Sequence, residues 1–328
     1  MNKSIKTAIL AVVAIVTLCA TVSIISEGGL SAEDTPVTTV GTYLDNDSGI
    51  TFTLYSDQTA EATKLTAPSK NVVIPGKAVK DDTEYTVTSI AASFVSMNST
   101  IETVTVAPSI TEIKDGDEWD YAFGQCSKLK TVTFEEGSKL TKIGKYAFAG
   151  CISLSEINFP EGLKEIGDKA FSYQTSNTWI SGKSQVLRYN LYSLTEITLP
   201  ASLEKIGDGA FPLLAFDIKL ADGNKNFVID NGILYNADKT VLIKAFNPTG
   251  DVTVPSTVTK INSYAFYYQT SDVMGEVVWT SKYFQYSENP VKKDPSIGTL
   301  TIPSSVETIG EYGLALMLAD TKTPYKDL

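Results

Sequence analysis

The string Leu140 to Pro160, LTKIGKYAFAGCISLSEINFP, recurs with small edits along most of a 328-residue chain, and this recurrence limits the fold more than any other feature. Its framework slots are Leu140, Ile143, Gly144, Ala147, Phe148, Cys151, Leu154, Ile157, Phe159 and Pro160. They return at Leu163, Ile166, Gly167, Ala170 and Phe171, at Leu203, Ile206, Gly207, Ala210 and Phe211, and at Val258, Ile261, Ala265 and Phe266. Looser copies surround Ile90 and Phe94, then Ile110, Ile113, Ala122, Phe123, Cys126 and Leu129, and a last one starts at Val306, Ile309 and Gly310. With the framework isoleucine as ruler, positions 90, 113, 143, 166, 206, 261 and 309 give spacings of 23, 30, 23, 40, 55 and 48. The unit is 23 residues, with insertions. One such unit cannot bury its own apolar face, so neighbours must stack. The fold class expected is a repeat solenoid, mainly β, of about seven coils.

Within a unit, L-x-x-I-x-L-P has the period-2 spacing of a short strand, and its proline ends the strand by removing a ladder donor. The I-G-x-x-A-F half is expected on the opposite side of the coil, where glycine allows a turn and alanine leaves room for an inward phenylalanine. Stacked coils should then form one continuous apolar column. Its expected members include Ile143, Phe148, Leu154, Ile157, Ile166, Phe171, Ile206, Phe211, Ile261 and Phe266.

These repeated strings, from about residue 85 to 328, resemble the BspA-like class of bacterial leucine-rich repeats, and the 23-residue unit falls in the leucine-rich-repeat range. Residues Asn226 to Phe246, NFVIDNGILYNADKTVLIKAF, are similar to a strand-turn-strand insert that such arrays carry. Read alone, this segment is a β-meander with an Asn231-Gly232 hairpin signal. The resemblance implies a curved solenoid on an exported or cell-surface protein with adhesive or host-contact roles. It transfers no catalytic residues.

Residues 1–32 read as an export signal: Lys3 and Lys6, an apolar run from Ala8 to Ile25, then Ser31-Ala32 before Glu33. Cleavage after Ala32 is the preferred reading, and an uncleaved membrane anchor is the alternative. Residues 33–85 alternate β-branched and aromatic residues between Asp, Asn, Pro and Gly, as expected of a β-rich N-terminal cap. The solenoid occupies 86–328, with insertions at 115–121, 172–190, 224–247 and 267–296.

Composition excludes more chemistry than it suggests. Histidine is absent, which removes Ser-His-Asp triads and histidine metal sites. Twenty-seven basic residues against 38 acidic ones give a net charge of −11, which opposes nucleic-acid binding. Cys126 and Cys151 occupy one slot of successive repeats and read as buried free thiols, with a disulfide as the alternative. The loop Asp115, Asp117, Glu118, Asp120 lacks the D-x-[DN]-x-[DN]-G pattern of a calcium loop and reads as solvated charge. No carboxylate pair is marked for glycosidase chemistry. Neither an enzyme nor a cofactor is expected.

The insertions are where function is expected. All three tryptophans, Trp119, Trp179 and Trp279, fall in them, and the second and third insertions open alike, Tyr173-Gln174-Thr175-Ser176 and Tyr268-Gln269-Thr270-Ser271. With Tyr283 and Tyr286 these aromatics could form an edge that docks an extracellular protein or glycan. The competing reading folds them back over the solenoid's own flank. A structural or assembly scaffold of the envelope is the alternative function.

Overall fold

The coils are joined by two strand ladders, one more than the repeat pattern announces. The computed structural model describes residues 36–172, 175–180, 183–188, 193–211, 217–266, 278–279, 284–285, 297–311 and 313–314; at 175–180, 183–188, 278–279, 284–285 and 297–298 it describes the backbone alone. The described residues from Thr39 on belong to one compact unit. Among the described residues every regular element is a strand, and no helix is long and apolar enough to cross a membrane. The leader read at 1–32 lies outside the described residues.

The chain opens with β1 (Thr39–Asp45), β2 (Ile50–Tyr55) and β3 (Thr59–Leu65), an antiparallel meander. Alternation in β2 sends Ile50, Phe52 and Leu54 inward. Next come β4 (Asn71–Ile74), β5 (Lys77–Lys80) and β6 (Thr83–Ile90), with β6 parallel to β3 and antiparallel to β5. The meander thus joins the array by continuous hydrogen bonding, β3 to β6 and β6 onward. Glu61 of β3, almost buried, adds a tie: it accepts from Tyr55 Oη at 2.7 Å and pairs with Lys114 Nζ at 2.9 Å.

From β6 the first ladder continues in parallel register. Its strands are β8 (Glu112–Ile113), β10 (Lys142–Ile143), β12 (Glu165–Ile166) and β16 (Lys205–Ile206), each carrying a framework isoleucine. The second ladder is β4, β7 (Thr103–Val106), β9 (Thr131–Phe134) and β11 (Glu156–Ile157), formed by the expected L-x-x-I-x-L-P strands. Farther on, β15 (Glu196–Leu199) pairs with β17 (Asp217–Leu220). Between β12 and β15 in sequence, β13 (Thr175–Ile180) and β14 (Lys183–Arg188) form a hairpin.

The insertion at 224–247 is the expected meander: β18 (Phe227–Asp230), β19 (Ile233–Asn236) and β20 (Val241–Ala245). The last coils hold β21 (Gly250–Thr253), β22 (Lys260–Ile261), β23 (Val278–Trp279), β24 (Phe284–Gln285), β25 (Ile297–Thr301) and β26 (Thr308–Ile309). Here β20 takes the place of a coil. Its Val241 and Leu242 pair in parallel with Lys260 and Ile261, and Leu242 O accepts Asn262 N–H at 2.9 Å. In a regular coil that acceptor is a framework isoleucine, as when Ile143 O accepts Gly167 N–H at 2.8 Å.

Ile143, Phe148, Leu154, Ile157, Ile166, Phe171, Ile206, Phe211, Ile261 and Phe266 are all buried. Phe123, Phe148, Phe171 and Phe211 stack in sequence, with centroids 5.2, 5.5 and 5.5 Å apart. The expected single column is corrected, however: the buried apolar side chains form two clusters that part at the meander. The meander supplies both. Phe227, Leu234 and Ile243 join the first cluster, while Ile233, Tyr235, Leu242 and Ala245 join the second.

The framework glycine also has a different cause from the one expected. Left-handed backbone occurs two residues later, at Tyr146, Lys169, Gly209 and Tyr264, with φ between 53° and 61°. The framework glycine instead permits close stacking. A Cβ on Gly144 would lie 2.3 Å from Lys114 O, and one on Gly207 would lie 2.3 Å from Asp168 N. Asn262 occupies this slot where the preceding neighbour is β20, not a standard coil.

Candidate functional site

Parallel, in-register stacking places like slots about 4.8 Å apart, so equal charges there would repel. The first ladder alternates Glu112, Lys142, Glu165 and Lys205, with Lys205 Nζ 2.8 Å from Glu165. Before the second ladder, Glu102 pairs with Lys70 at 3.0 Å and Lys130 at 2.8 Å. These two ammonium groups hold the Glu102 carboxyl down to about 2. Pairs of this kind contribute little stability each, but they favour one register.

A second set of polar groups locks successive coils at the residue two after the framework isoleucine. Asp115 Oδ1 accepts Lys145 N–H at 2.9 Å, and Lys145 Nζ pairs with Asp168 at 3.1 Å. Asp168 Oδ1 accepts Asp208 N–H at 2.9 Å, and Asp208 Oδ1 accepts Ser263 N–H at 2.9 Å. Ser263 Oγ then accepts Glu311 N–H at 3.0 Å. Many of the acidic residues at variable slots are therefore committed to stacking.

The loop 115–121 projects from this lock. Partial burial works against the Asp115 charge, but the hydrogen bond from Lys142, 2.6 Å away, and the Lys145 N–H hold its carboxyl below the usual range. Gly116 N–H donates to Lys145 O at 2.9 Å. Asp117 Oδ1 accepts from Trp119 N–H at 2.7 Å and Asp120 N–H at 2.9 Å, which lowers the Asp117 carboxyl in turn. Tyr121 is buried, donates to Glu118 O and meets Tyr146 edge-on at 6.3 Å. The result is an anchored loop carrying Trp119, which is 79% exposed. Beside it, Lys169 Nζ lies 5.8 Å from the centre of the Tyr146 ring.

The Asp115 carboxylate thus ties the loop to the next coil and that of Asp117 closes it on itself, and among the described residues no three acidic, thiol or imidazole groups cluster as a metal site. Cys126 and Cys151 are free and buried. Their thiols donate to Val95 O at 3.5 Å and Phe123 O at 3.0 Å, each in the preceding coil. Burial pushes the Cys126 thiol up to about 12 and the Cys151 thiol well above its ordinary value, so both are inert.

Of the other aromatic candidates, Trp179 lies in β13, its backbone opposite Ser184, and Trp279 lies in β23, opposite Phe284. The second and third insertions, which open with the same four residues, thus each contain an antiparallel strand pair bearing a tryptophan. Tyr173, Tyr268, Tyr283 and Tyr286 lie outside the described residues. Sequence reasoning missed the coil-to-coil lock. Its signal was present as Asp or another polar residue at positions 115, 145, 168, 208, 263 and 311.

Comparison with known proteins is consistent with this geometry. A sequence model of the BspA type leucine rich repeat region, in six copies, matches residues 88–211, 117–239 and 239–317. The structure is similar to the pneumococcal vaccine antigen PcpA, with 21% identity and a TM-score of 0.52 over 84% of this chain and 68% of that one. It is also similar to a leucine-rich repeat protein from Eubacterium ventriosum, with 24% identity and a TM-score of 0.48 over 85% of this chain and 63% of that one. At these identities the likeness is one of fold. No curated protein matches the sequence.

Proposed function

Because the chain belongs to the BspA-type leucine-rich-repeat family, we propose that it is a non-catalytic binding module of the cell exterior, engaging an extracellular protein or glycan. The observation that carries this reading is Trp119, a large aromatic held in solvent by a loop that the Asp117 carboxylate and the Tyr121 hydroxyl fasten. Rigid exposed aromatics give large contact area at small entropic cost. Absence of histidine and the commitment of many carboxylates to coil stacking support a non-catalytic role. That PcpA, a protein of similar fold, is a vaccine antigen fits this reading.

The test is binding of the full chain to a panel of matrix proteins and glycans, compared with Trp119→Ala. A ligand that binds wild type and is lost with the variant is the expected result. Binding to none of the panel, together with stable self-association on sizing, would favour the envelope-scaffold reading. Export is part of the same proposal. N-terminal sequencing of the secreted protein should begin at Glu33, and an intact Met1 terminus would instead favour a retained anchor.

A further inference from the structure

The four insertions differ in what they interrupt. Around 115–121 both ladders persist, since β8 pairs with β10 and β7 with β9. The insertion at 172–190 breaks only the second ladder: β12 still pairs with β16, while β11 and β15 belong to separate sheets. That at 267–296 breaks neither, because β22 pairs with β26 and β21 with β25. The meander at 224–247 breaks both at once. There β16 ends its sheet, β17 and β21 lie in different sheets, and the apolar core divides.

A regular coil interface carries much more. Between the coils of Ile143 and Ile166 there are in-register strands, stacked Phe148 and Phe171, and backbone bonds from Tyr146, Phe148 and Gly150 to the next coil. Between the coils of Ile206 and Ile261, no direct backbone hydrogen bond passes among the described residues. The Ala265 carbonyl, which would continue that series, accepts from Ala245 of β20. Among the described residues, the polar contacts that span the seam directly come from side chains. Asp208 Oδ1 accepts Ser263 N–H at 2.9 Å, its Oδ2 accepts the Ser263 hydroxyl, and Lys260 Nζ lies 3.8 Å away. Lys169 and Glu311 add an ion pair at 3.6 Å.

We infer that the array consists of two half-arrays which open independently at this seam, with Asp208 as the latch between them. In a quasi-one-dimensional array, stability is a sum of coil terms and neighbour terms, so opening begins at the interface with the weakest neighbour term. The meander acts as a two-faced wall that finishes one core and starts the other. The carboxylate then supplies charge-assisted bonds where strand bonds are interrupted.

Native-state hydrogen exchange on the full chain, read by mass spectrometry, tests this. In wild type, amides of residues 123–171 and 258–266 should open with different protection. Asp208→Ala should lower protection at 258–266 by about tenfold or more, as loss of a charged hydrogen bond implies, and leave 123–171 unchanged. Ser263→Ala keeps the backbone bond to Asp208 and removes the hydroxyl, which also accepts Glu311 N–H, so a smaller change at 258–266 is expected, accompanied by lower protection at Glu311. One common opening for both halves, or Asp208→Ala acting equally on both or on neither, overturns the proposal.

Discussion

Replacing Phe148 by alanine should cost roughly 3–5 kcal/mol of stability, the range for truncating a buried aromatic. Phe148 has no exposed surface and lies between Phe123 at 5.2 Å and Phe171 at 5.5 Å, nearly parallel to both. The substitution therefore opens a cavity and ends two ring contacts together. Neighbouring coils cannot close that gap, because their spacing is set by ladder bonds on both sides. Chemical denaturation of the full chain is the measurement, with the loss falling on the transition of the first half-array. A loss below about 1.5 kcal/mol would show that the ring stack is not a principal support of the core.

Lys244→Met is expected to act in the opposite direction, stabilising the protein at pH 7 by roughly 2–4 kcal/mol. Lys244 is 2% exposed at the seam, with Nζ donating to Tyr264 O at 2.7 Å, and burial lowers its ammonium from 10.5 to about 7. Above pH 10.5 neither state holds the proton. As pH falls from 10.5 to about 7, the unfolded chain takes the proton and the folded one does not, so stability is lost across that window. Below it both states are charged and the cost stays constant. The gain from methionine should accordingly be large at pH 7 and shrink toward pH 10. An equal gain at both pH values would mean that burial of the charge is not what the lysine costs.

The framework was legible because the isoleucine, alanine and phenylalanine slots repeat, and Ile143, Phe148, Ile166 and Phe171 needed only that spacing. Strands such as Lys142–Ile143 were not legible, since two residues carry no period. Their partners lie a coil away in sequence, and only stacking reveals them. The same holds for Asp115, Asp168 and Asp208, which look like solvated charges until the next coil places an N–H against each. Gly144 illustrates the opposite case, a residue identified correctly but for a different reason, close approach replacing turn geometry. The meander was readable as strands, yet nothing local to Val241 and Leu242 announces that they stand in for a coil. For the candidate site, the grouping of tryptophans in insertions was plain from sequence. That Trp119 points to solvent depended on Asp117 and Tyr121 fastening the loop beneath it.

The most direct test of the binding role sets that loop against the strand face on one ligand. Val73, 57% exposed on β4, marks the strand face, and Trp119 marks the insertion edge. Affinity of the wild-type chain for a ligand from the panel should fall roughly 30-fold with Trp119→Ala, the loss expected of a hot-spot tryptophan. Val73→Glu should leave it unchanged. Undiminished affinity in Trp119→Ala together with a loss in Val73→Glu would contradict the account and move the binding surface to the strands.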